Sequence, residues 1–471
     1  MQAHSHYKLL DKASLKALLT KRFCEGHKKL SDIPSPTRLI DAQKAAKKIA
    51  DTIKAGKKIT LIGDYDVDGV SATAITVDFF RQIPYPLEAI IPNRFNDGYG
   101  VSENVLARVN ADLVITVDNG ITAVRAAEVC KERGIELIIT DHHTPLDVLP
   151  EAFAIVDPKL MACEYPFKDI CGAQVAWLLL ALVKKELALN IDMRSFFDIL
   201  CIAIIADIMP LIDINRTIVK DGLKQIMHSS RPSSVVIRDF LNKSAISSED
   251  IAFQIAPRIN SAGRLEDASM ALDFFTATTI EQAYAQFERL NRLNELRKET
   301  EAEATKEALE MACEYEHDLI LVLACEDWHE GVVGIVASRL TERFGKPAIV
   351  LSIEGESAKG SARSIGDVNI HELIKANSDL LTKFGGHKMA AGLGLKVEDI
   401  PKFREAINKS AKELDERAFI PHYEVIGILK SSEIDHELLH ILDSFEPYGE
   451  ANERPSFYID QAHIHEIKYF G

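Results

Sequence analysis

ITLIGDYDVDGVSATAITVDFF, residues 59–80, contains the transition that decides the fold. Ile59 to Ile62 form a short run of strand-forming residues with no charged member. GDYDVDG, Gly63 to Gly69, breaks that run with three aspartates at alternate positions, Asp64, Asp66 and Asp68. A longer apolar segment without proline follows, and its length suits a helix rather than a strand. Strand, tight polar loop and helix in this order open a β-α unit, and the pattern repeats outward. Between Lys58 and about Asp157 the runs LEAII, DLVITV, IELIIT and AFAIV alternate with ENVLARV and ITAVRAAEVCKERG. Short apolar strands separated by helical segments predict an α/β domain, a doubly wound parallel sheet covered on both faces.

In such sheets ligands collect beyond the carboxyl ends of the strands. Three strands here run directly into polar groups: Asp64-Tyr65-Asp66, Asp118-Asn119-Gly120 and Asp141-His142-His143. Clustered carboxylates are what hard divalent cations select. Taken alone, GDYDVDG could equally be a loop that caps the next helix, because Asp favours N-caps and Gly favours turns. A lone histidine is more often a core residue bonded to backbone. Two adjacent histidines after an aspartate, level with two other acidic strand ends, point to a metal centre instead. Asp207, inside the apolar run CIAIIADIMPL, adds a fourth piece. A buried carboxylate is costly unless it is paired, so a cation, an N-cap role or a buried Arg must answer it.

Beyond this core, residues 170 to about 280 read as mainly helical, in segments such as GAQVAWLLLALVKKEL and SFFDILCIAIIADIM that are expected to cap the sheet. From Ile280 to Tyr315 there is no Pro or Gly and a high density of helix formers, which predicts one long, partly exposed linker helix. A second, smaller α/β pattern follows in DLILVLA, GVVGIVASRLTERFG and PAIVLSI, with a polar GESAKGSARS stretch and the glycine-rich GGHKMAAGLG. YEVIGIL and PSFYID suggest a small β-rich unit after about Ile420. The expected division is a helical extension at 1–57, a main domain at 58–280, the linker helix at 281–316, a second domain at 317–418 and a β unit at 419–471.

A chain of 471 residues that is 47% hydrophobic and 27% charged, with 17 Pro and 24 Gly, is a globular protein of several domains and not a disordered one. Seven cysteines, Cys24, Cys130, Cys163, Cys171, Cys201, Cys313 and Cys325, never form a C-x-x-C pair and read as reduced cytosolic thiols. No secretory signal or bilayer-length apolar run is visible, so a soluble cytoplasmic protein is expected. The formal charge of −16 disfavours diffuse adhesion to a polyanion. Any contact with nucleic acid therefore needs a local basic lining or bound cations.

GDYDVDG, VDNG, DHH and the later Asp207, in this order, resemble the four motifs of the DHH phosphoesterase superfamily. GGHKMAAG, Gly385 to Gly392, resembles the substrate-binding DHHA1 domain that accompanies DHH cores. PNRFNDGYG (Pro92 to Gly100), APRINSAGRL (Ala256 to Leu265), HEGVVGIVASRL (His329 to Leu340) and KGSARS (Lys359 to Ser364) are similar to the RecJ family within it. EPYGEANERPSF (Glu446 to Phe457) resembles that family's OB-like DNA-binding domain. Only residues 421–471 follow Ile420, so a minimal or incomplete barrel is expected. Tyr423, Phe445, Tyr448, Phe457 and Tyr458 could serve there as contacts to a single strand or as core.

The resemblance implies two Mn²⁺ or Mg²⁺ ions, with Asp66, Asp68, Asp118, His142 and Asp207 as direct ligands and Asp118 as the bridge. Asp64 and Asp141 would be ligands or residues that orient them, and His143 would face the substrate phosphate. Arg94, Arg258, Asn260, Arg264, Ser361, Arg363, Gly385, Gly386 and His387 match the substrate-binding positions. The implied activity is 5′ to 3′ hydrolysis of single-stranded DNA in repair and recombination, by a monomer working beside a helicase and a single-strand-binding protein. Two rivals stay open: a short-oligonucleotide or nucleoside-bisphosphate phosphatase, and a scaffold that binds nucleic acid without cleaving it.

Overall fold

The computed structural model describes residues 8–23, 28–422, 424–459 and 466. By its contacts the chain divides into two units, Met1–Asn291 with Val425–Gly471, and Arg292–Glu424.

In the first unit a two-residue strand, β1 (Leu9–Leu10), precedes the helices Lys12–Lys21 and Ala42–Lys54. The main sheet comprises β2 (Ile59–Ile62), β3 (Glu88–Ile90), β4 (Leu113–Val117), β5 (Glu136–Thr140) and β6 (Ala154–Val156). All are parallel, in the order β3-β2-β4-β5-β6. Every residue of β2 and β4 is buried, which is why these segments carry no polar face. On one side Ile62, Val114, Leu137 and Ile139 pack against Val105, Leu106, Ala126 and Cys130. Helices Val67–Phe80 and Gly172–Glu186 cover the other. Burying each such Leu, Ile or Val contributes about 1.5–3 kcal/mol. Chain direction across the sheet switches at β2, with β3 on one side and β4 on the other. Such a switch point leaves a crevice at the carboxyl ends.

The expected helical stretch is realised as Gly172–Glu186, Phe197–Ala206, Asp213–His228, Pro232–Leu241, Ala256–Leu265 and Ser269–Phe275, with a π-helical turn at Ile251–Ile255. Helix Val67–Phe80 packs on Phe197–Ala206 as well as on Gly172–Glu186, so the loop after β2 and the end of Phe197–Ala206 belong to one rigid body. The long helix runs from Ile280 to Ala312.

The second unit is built on β7 (Leu321–Cys325), β8 (Ala348–Glu354), β9 (Ser357–Arg363), β10 (Lys383–Gly386) and β11 (Ala390–Lys396), in the order β10-β11-β9-β8-β7. Only β7 and β8 pair in parallel; the rest are antiparallel. Helix Val333–Phe344 packs on one face beside Ala304 and Ala308, and Ile370–Lys375 with Ile400–Ala411 on the other.

The C-terminal residues from Val425 return to the first unit. There β12 (Gly427–Leu429) pairs in parallel with β1 and with β13 (Phe457–Tyr458). Leu15 and Leu19 form a small core with Leu429, Leu438, Leu442, Phe445 and Tyr448. Phe445 and Tyr448 are only 5% and 3% exposed, so of their two expected roles they take the core one. Phe457 and Tyr458 are half-buried, and Tyr423 lies outside the described residues. Six cysteines are free, while Cys24 lies outside the described residues.

Candidate metal centre

Register sets the site. Ile62 pairs with Thr116, and Thr140 with both Val117 and Val156, so β2, β4, β5 and β6 end level. The residues just past them, the loop from Gly63, Asp118, Asp141 and Asp157, therefore lie along one rim. Asn119 ties the rim together. Its Nδ2 donates to the carbonyls of Ile62 (3.1 Å) and Val117 (2.9 Å), and its Oδ1 accepts from the Val101 N–H (3.0 Å). This clasp accompanies a left-handed Asp118, φ 62°, a conformation Asp tolerates better than most residues.

Donor atoms from the rim fall into three groups, within each of which every atom is within 4.8 Å of the others. They are Asp64, Asp66 and Asp118; Asp68, His142 and Asp207; and Asp118, His142 and His143. His142 is central: its Nε2 lies 3.2 Å from Asp118 Oδ1, 3.5 Å from Asp207 Oδ2 and 3.7 Å from Asp68 Oδ2. Asp66 also caps helix Val67–Phe80, accepting from the Gly69 N–H at 3.0 Å, so the helix-cap role weighed for this loop coexists with the cluster. Asp68 accepts from the N–H groups of Gly172 (2.6 Å) and Ala173 (2.9 Å), the first turn of helix Gly172–Glu186. Asp207 ends helix Phe197–Ala206 with its side chain 24% exposed.

Asp141 is spent on the protein. Its Oδ1 accepts from the N–H groups of His142 (2.7 Å) and His143 (3.1 Å) and lies 2.7 Å from His143 Nδ1, while Oδ2 accepts from the Ile121 N–H at 2.9 Å. It stands outside the three donor groups. His143 is 45% exposed and places Nε2 3.5 Å from the Tyr99 hydroxyl.

The electrostatics are severe. Burial first, and then neighbouring carboxylates, push Asp64 and Asp118 well above the usual carboxylate range, raise Asp66, and raise Asp207 to about 9. Burial pulls His142 down. For His143 burial acts the same way, but the hydrogen bond and charge of Asp141 outweigh it and hold the imidazole up at about 9. Buried Asp64 Oδ1, Asp118 Oδ1, Asp207 Oδ2 and both His142 ring nitrogens make no hydrogen bond among the described residues. Unsatisfied buried acceptors of this density are costly unless a cation meets them. Several carboxylate oxygens and one imidazole are a donor set that suits Mn²⁺ or Mg²⁺, so the residues present fit such ions.

Of the expected substrate positions, Arg94 lies 5.6 Å from the Tyr65 ring, next to the acidic loop. Asn260 and Arg264 are half-buried on helix Ala256–Leu265, whose Gly263 lies against the Tyr65 backbone. Arg258, on the same helix, donates to Asn291 Oδ1 (2.8 Å) and stacks 4.4 Å over Phe240, so a phosphate would compete with those partners. In the second unit Arg363 pairs with Ala390, and Gly386 with Ala391, which puts β9 and β10 residues at one end of the sheet. A Cβ at Gly334 would lie 3.1 Å from Arg363 Nη2 and 3.2 Å from Ser361 Oγ, so both side chains converge on the start of helix Val333–Phe344. Gly385 and Gly386 are exposed on β10, and the His387 N–H donates to the Ala390 carbonyl (2.8 Å).

Four further residues that the motifs did not single out lie at or beside the rim. Asp157 is fully buried, its Oδ2 makes no hydrogen bond, and burial raises it to about 7. Gly172 approaches Asp118 so closely that a Cβ there would lie 2.3 Å from Oδ1. Tyr65 and Tyr99 meet edge to face at 6.1 Å beside His143. A fourth strand end carrying an acid, AIVDP, could have revealed Asp157. The others depend on contacts between distant segments.

Comparison with known proteins agrees with this geometry. Residues 58–204 match the DHH family, N-terminal domain; 317–413 match the DHHA1 domain; and 427–471 match the RecJ OB domain. The single-stranded-DNA-specific exonuclease RecJ of Haemophilus influenzae is 32% identical over 479 residues, covering 96% of this chain and 83% of that protein. The chain belongs to the RecJ family. RecJ of Bacillus subtilis is 36% identical over 94% of the chain, which spans 57% of that relative's length. A crystal structure of exonuclease RecJ bound to manganese is similar with a TM-score of 0.70 at 33% identity, over 80% of this chain and 96% of that one. RecJ from Thermus thermophilus in complex with Mn²⁺ gives 0.82 at 29% identity, over 98% of this chain and 70% of that one.

Proposed function

We propose that this chain is a metal-dependent exonuclease that digests single-stranded DNA from its 5′ end and releases 5′-mononucleotides, in DNA repair and recombination. One observation carries this most: acidic and imidazole groups from separate strand ends meet with their buried lone pairs unsatisfied. Solved RecJ relatives bound to Mn²⁺ and Mg²⁺ support the choice of ions. Asp66, Asp68, Asp118, His142 and Asp207 are the proposed ligands, with Asp64 beside them. Asp118 would be the shared ligand, because of the two residues that belong to two of the three donor groups, Asp118 and His142, only the carboxylate offers two oxygens. When bound, two such ions lower the pKa of a water and stabilise charge on the attacking and leaving oxygens.

The chain's own residues do the rest. Asp141 holds the His142–His143 backbone and, by its hydrogen bond and charge, favours the protonated form of His143. The exposed edge of that ring is the proposed contact to a non-bridging phosphate oxygen. Arg94 and Arg264 are the proposed contacts to the terminal 5′-phosphate, which would restrict cleavage to chain ends. Ser361, Arg363, Gly385, Gly386 and His387 are the proposed contacts of the second unit. These local cations, with the bound ions, supply the attraction that a −16 chain lacks overall.

No helix among the described residues is long and apolar enough to cross a membrane. With the free cysteines this supports a cytoplasmic setting, where a helicase and a single-strand-binding protein would deliver the substrate. Supplying 5′-labelled and 3′-labelled single strands, duplexes and dinucleotides with Mn²⁺ tests the reading. Label released first from the 5′ side of long single strands, with duplex spared and EDTA abolishing release, is expected. Faster turnover of dinucleotides would favour an oligonucleotide phosphatase, and strand binding without release would favour a scaffold.

A further inference from the structure

The segment Phe445–Asn452 touches the loop that follows Asp207. Helix Phe197–Ala206 ends in a tight turn: the Ile208 N–H donates to the Ile205 carbonyl (3.2 Å) and the Met209 N–H to the Ile204 carbonyl (3.1 Å). This is the arrangement in which glycine usually occupies the left-handed position. Here that position is Ile208, φ 54°, a β-branched residue for which the conformation is unfavourable. A strained turn persists only where its surroundings hold it.

Two sets of contacts hold it. From one side the Asn215 amide donates to the Pro210 carbonyl (3.1 Å) and the Asp169 carbonyl (2.8 Å), and accepts from Gln174 (2.8 Å). Gln174 in turn accepts from the Cys171 N–H (3.1 Å), one residue before the N–H that binds Asp68. From the other side the Leu211 N–H donates to the Glu450 carbonyl at 2.7 Å. Gly449 lies so close that a Cβ there would be 2.7 Å from Leu211 Cδ1. Arg216 donates to the carbonyls of Phe445 (3.2 Å) and Glu446 (2.8 Å). The segment is itself rigid. Buried Asn452 donates to the carbonyls of Phe445 (3.1 Å) and Pro447 (2.8 Å), and Tyr448 donates to Leu442 (2.6 Å).

We infer that Phe445–Asn452 is a positioning brace for the metal centre: it fixes the turn after Asp207 and so the place of the Asp207 carboxylate. The inference rests on the proposed metal reading and deepens it. It separates two jobs of the C-terminal residues, since a brace acts on ion affinity whereas a DNA grip acts on the strand.

The test is calorimetric Mn²⁺ binding to the full chain, paired with KM for a single strand at saturating Mn²⁺. Wild type and Asp207→Asn come first; equal Mn²⁺ binding by the two overturns the metal reading itself and the brace with it. Given a difference, Gly449→Ala is expected to weaken Mn²⁺ binding about tenfold, as loss of a residue supporting a ligand does. KM should stay within about twofold, with activity restored by excess Mn²⁺. Adding Leu211→Ala, which removes the atoms the new Cβ meets, should recover part of the affinity. Unchanged Mn²⁺ binding in folded Gly449→Ala, with or without a raised KM, overturns the brace. Should Gly449→Ala not fold by circular dichroism, Arg216→Lys, which keeps charge but loses the two-carbonyl fork, decides by the same readings.

Discussion

Asp118 shows how one residue answers to several constraints. Its backbone is left-handed, its carboxylate belongs to two donor groups, and helix Gly172–Glu186 begins against it with no room for a side chain. Gly172→Ala should therefore lower kcat about a hundredfold, the effect of misplacing a reacting group by an ångström or so. Kinetics on folded protein check this, and an unchanged kcat would mean that Asp118 is free to move. Asp141→Asn is expected to weaken Mn²⁺ binding about 10–100-fold, because the amide cannot hold the two histidines in the same way. Asp118→Asn should abolish binding at the shared position. Asp118 and Asp141 were legible in the sequence because each directly follows an apolar strand, and Asp64, Asp66 and Asp68 because they alternate in the loop beyond another. Asn119, Gly172 and Tyr99 were not, because their roles arise from contacts between segments far apart in the chain.

At the scale of elements, the helices that deliver Asp207 are pinned by one buried ion network. Arg231 at the start of helix Pro232–Leu241 binds Asp198 of helix Phe197–Ala206 (3.0 Å) and Asp78 of helix Val67–Phe80. Asp198 also accepts from Ser229 (2.9 Å) and Ser234 (2.8 Å). Arg231→Ala leaves the buried Asp198 without its cation, while Asp78 keeps Arg81 at 3.2 Å, and should cost the first unit about 3 kcal/mol in chemical denaturation. A loss below about 1 kcal/mol would show that apolar packing alone aligns these helices. Strands β2, β4, β5 and β6 and the long helix were predictable from periodicity and from the absence of Pro and Gly. The pairing of β1 with β12 was not, because nothing local in two residues near the start of the chain indicates a partner more than four hundred positions away.

For the whole molecule, the cluster couples stability to pH and metal. The folded-state values of Asp64, Asp66, Asp118 and Asp207 lie above their unfolded values, with Asp207 at about 9. Carboxyl groups of this kind stabilise fully below their ordinary value of about 4, and that contribution is lost as pH rises toward the folded value. Metal-free protein should thus lose thermal stability from pH 5 to pH 9. Mn²⁺, which binds the ionised form, should raise Tm by an amount that grows over the same window. Differential scanning fluorimetry with EDTA or Mn²⁺ at each pH reads both, and a metal shift independent of pH would contradict the electrostatic account.

The most direct measurement is anomalous diffraction at the manganese edge from crystals of the full chain grown with Mn²⁺. Two peaks about 4 Å apart, enclosed by Asp66, Asp68, Asp118, His142 and Asp207, are predicted. Absence of anomalous density among these side chains, with manganese bound elsewhere, would contradict it.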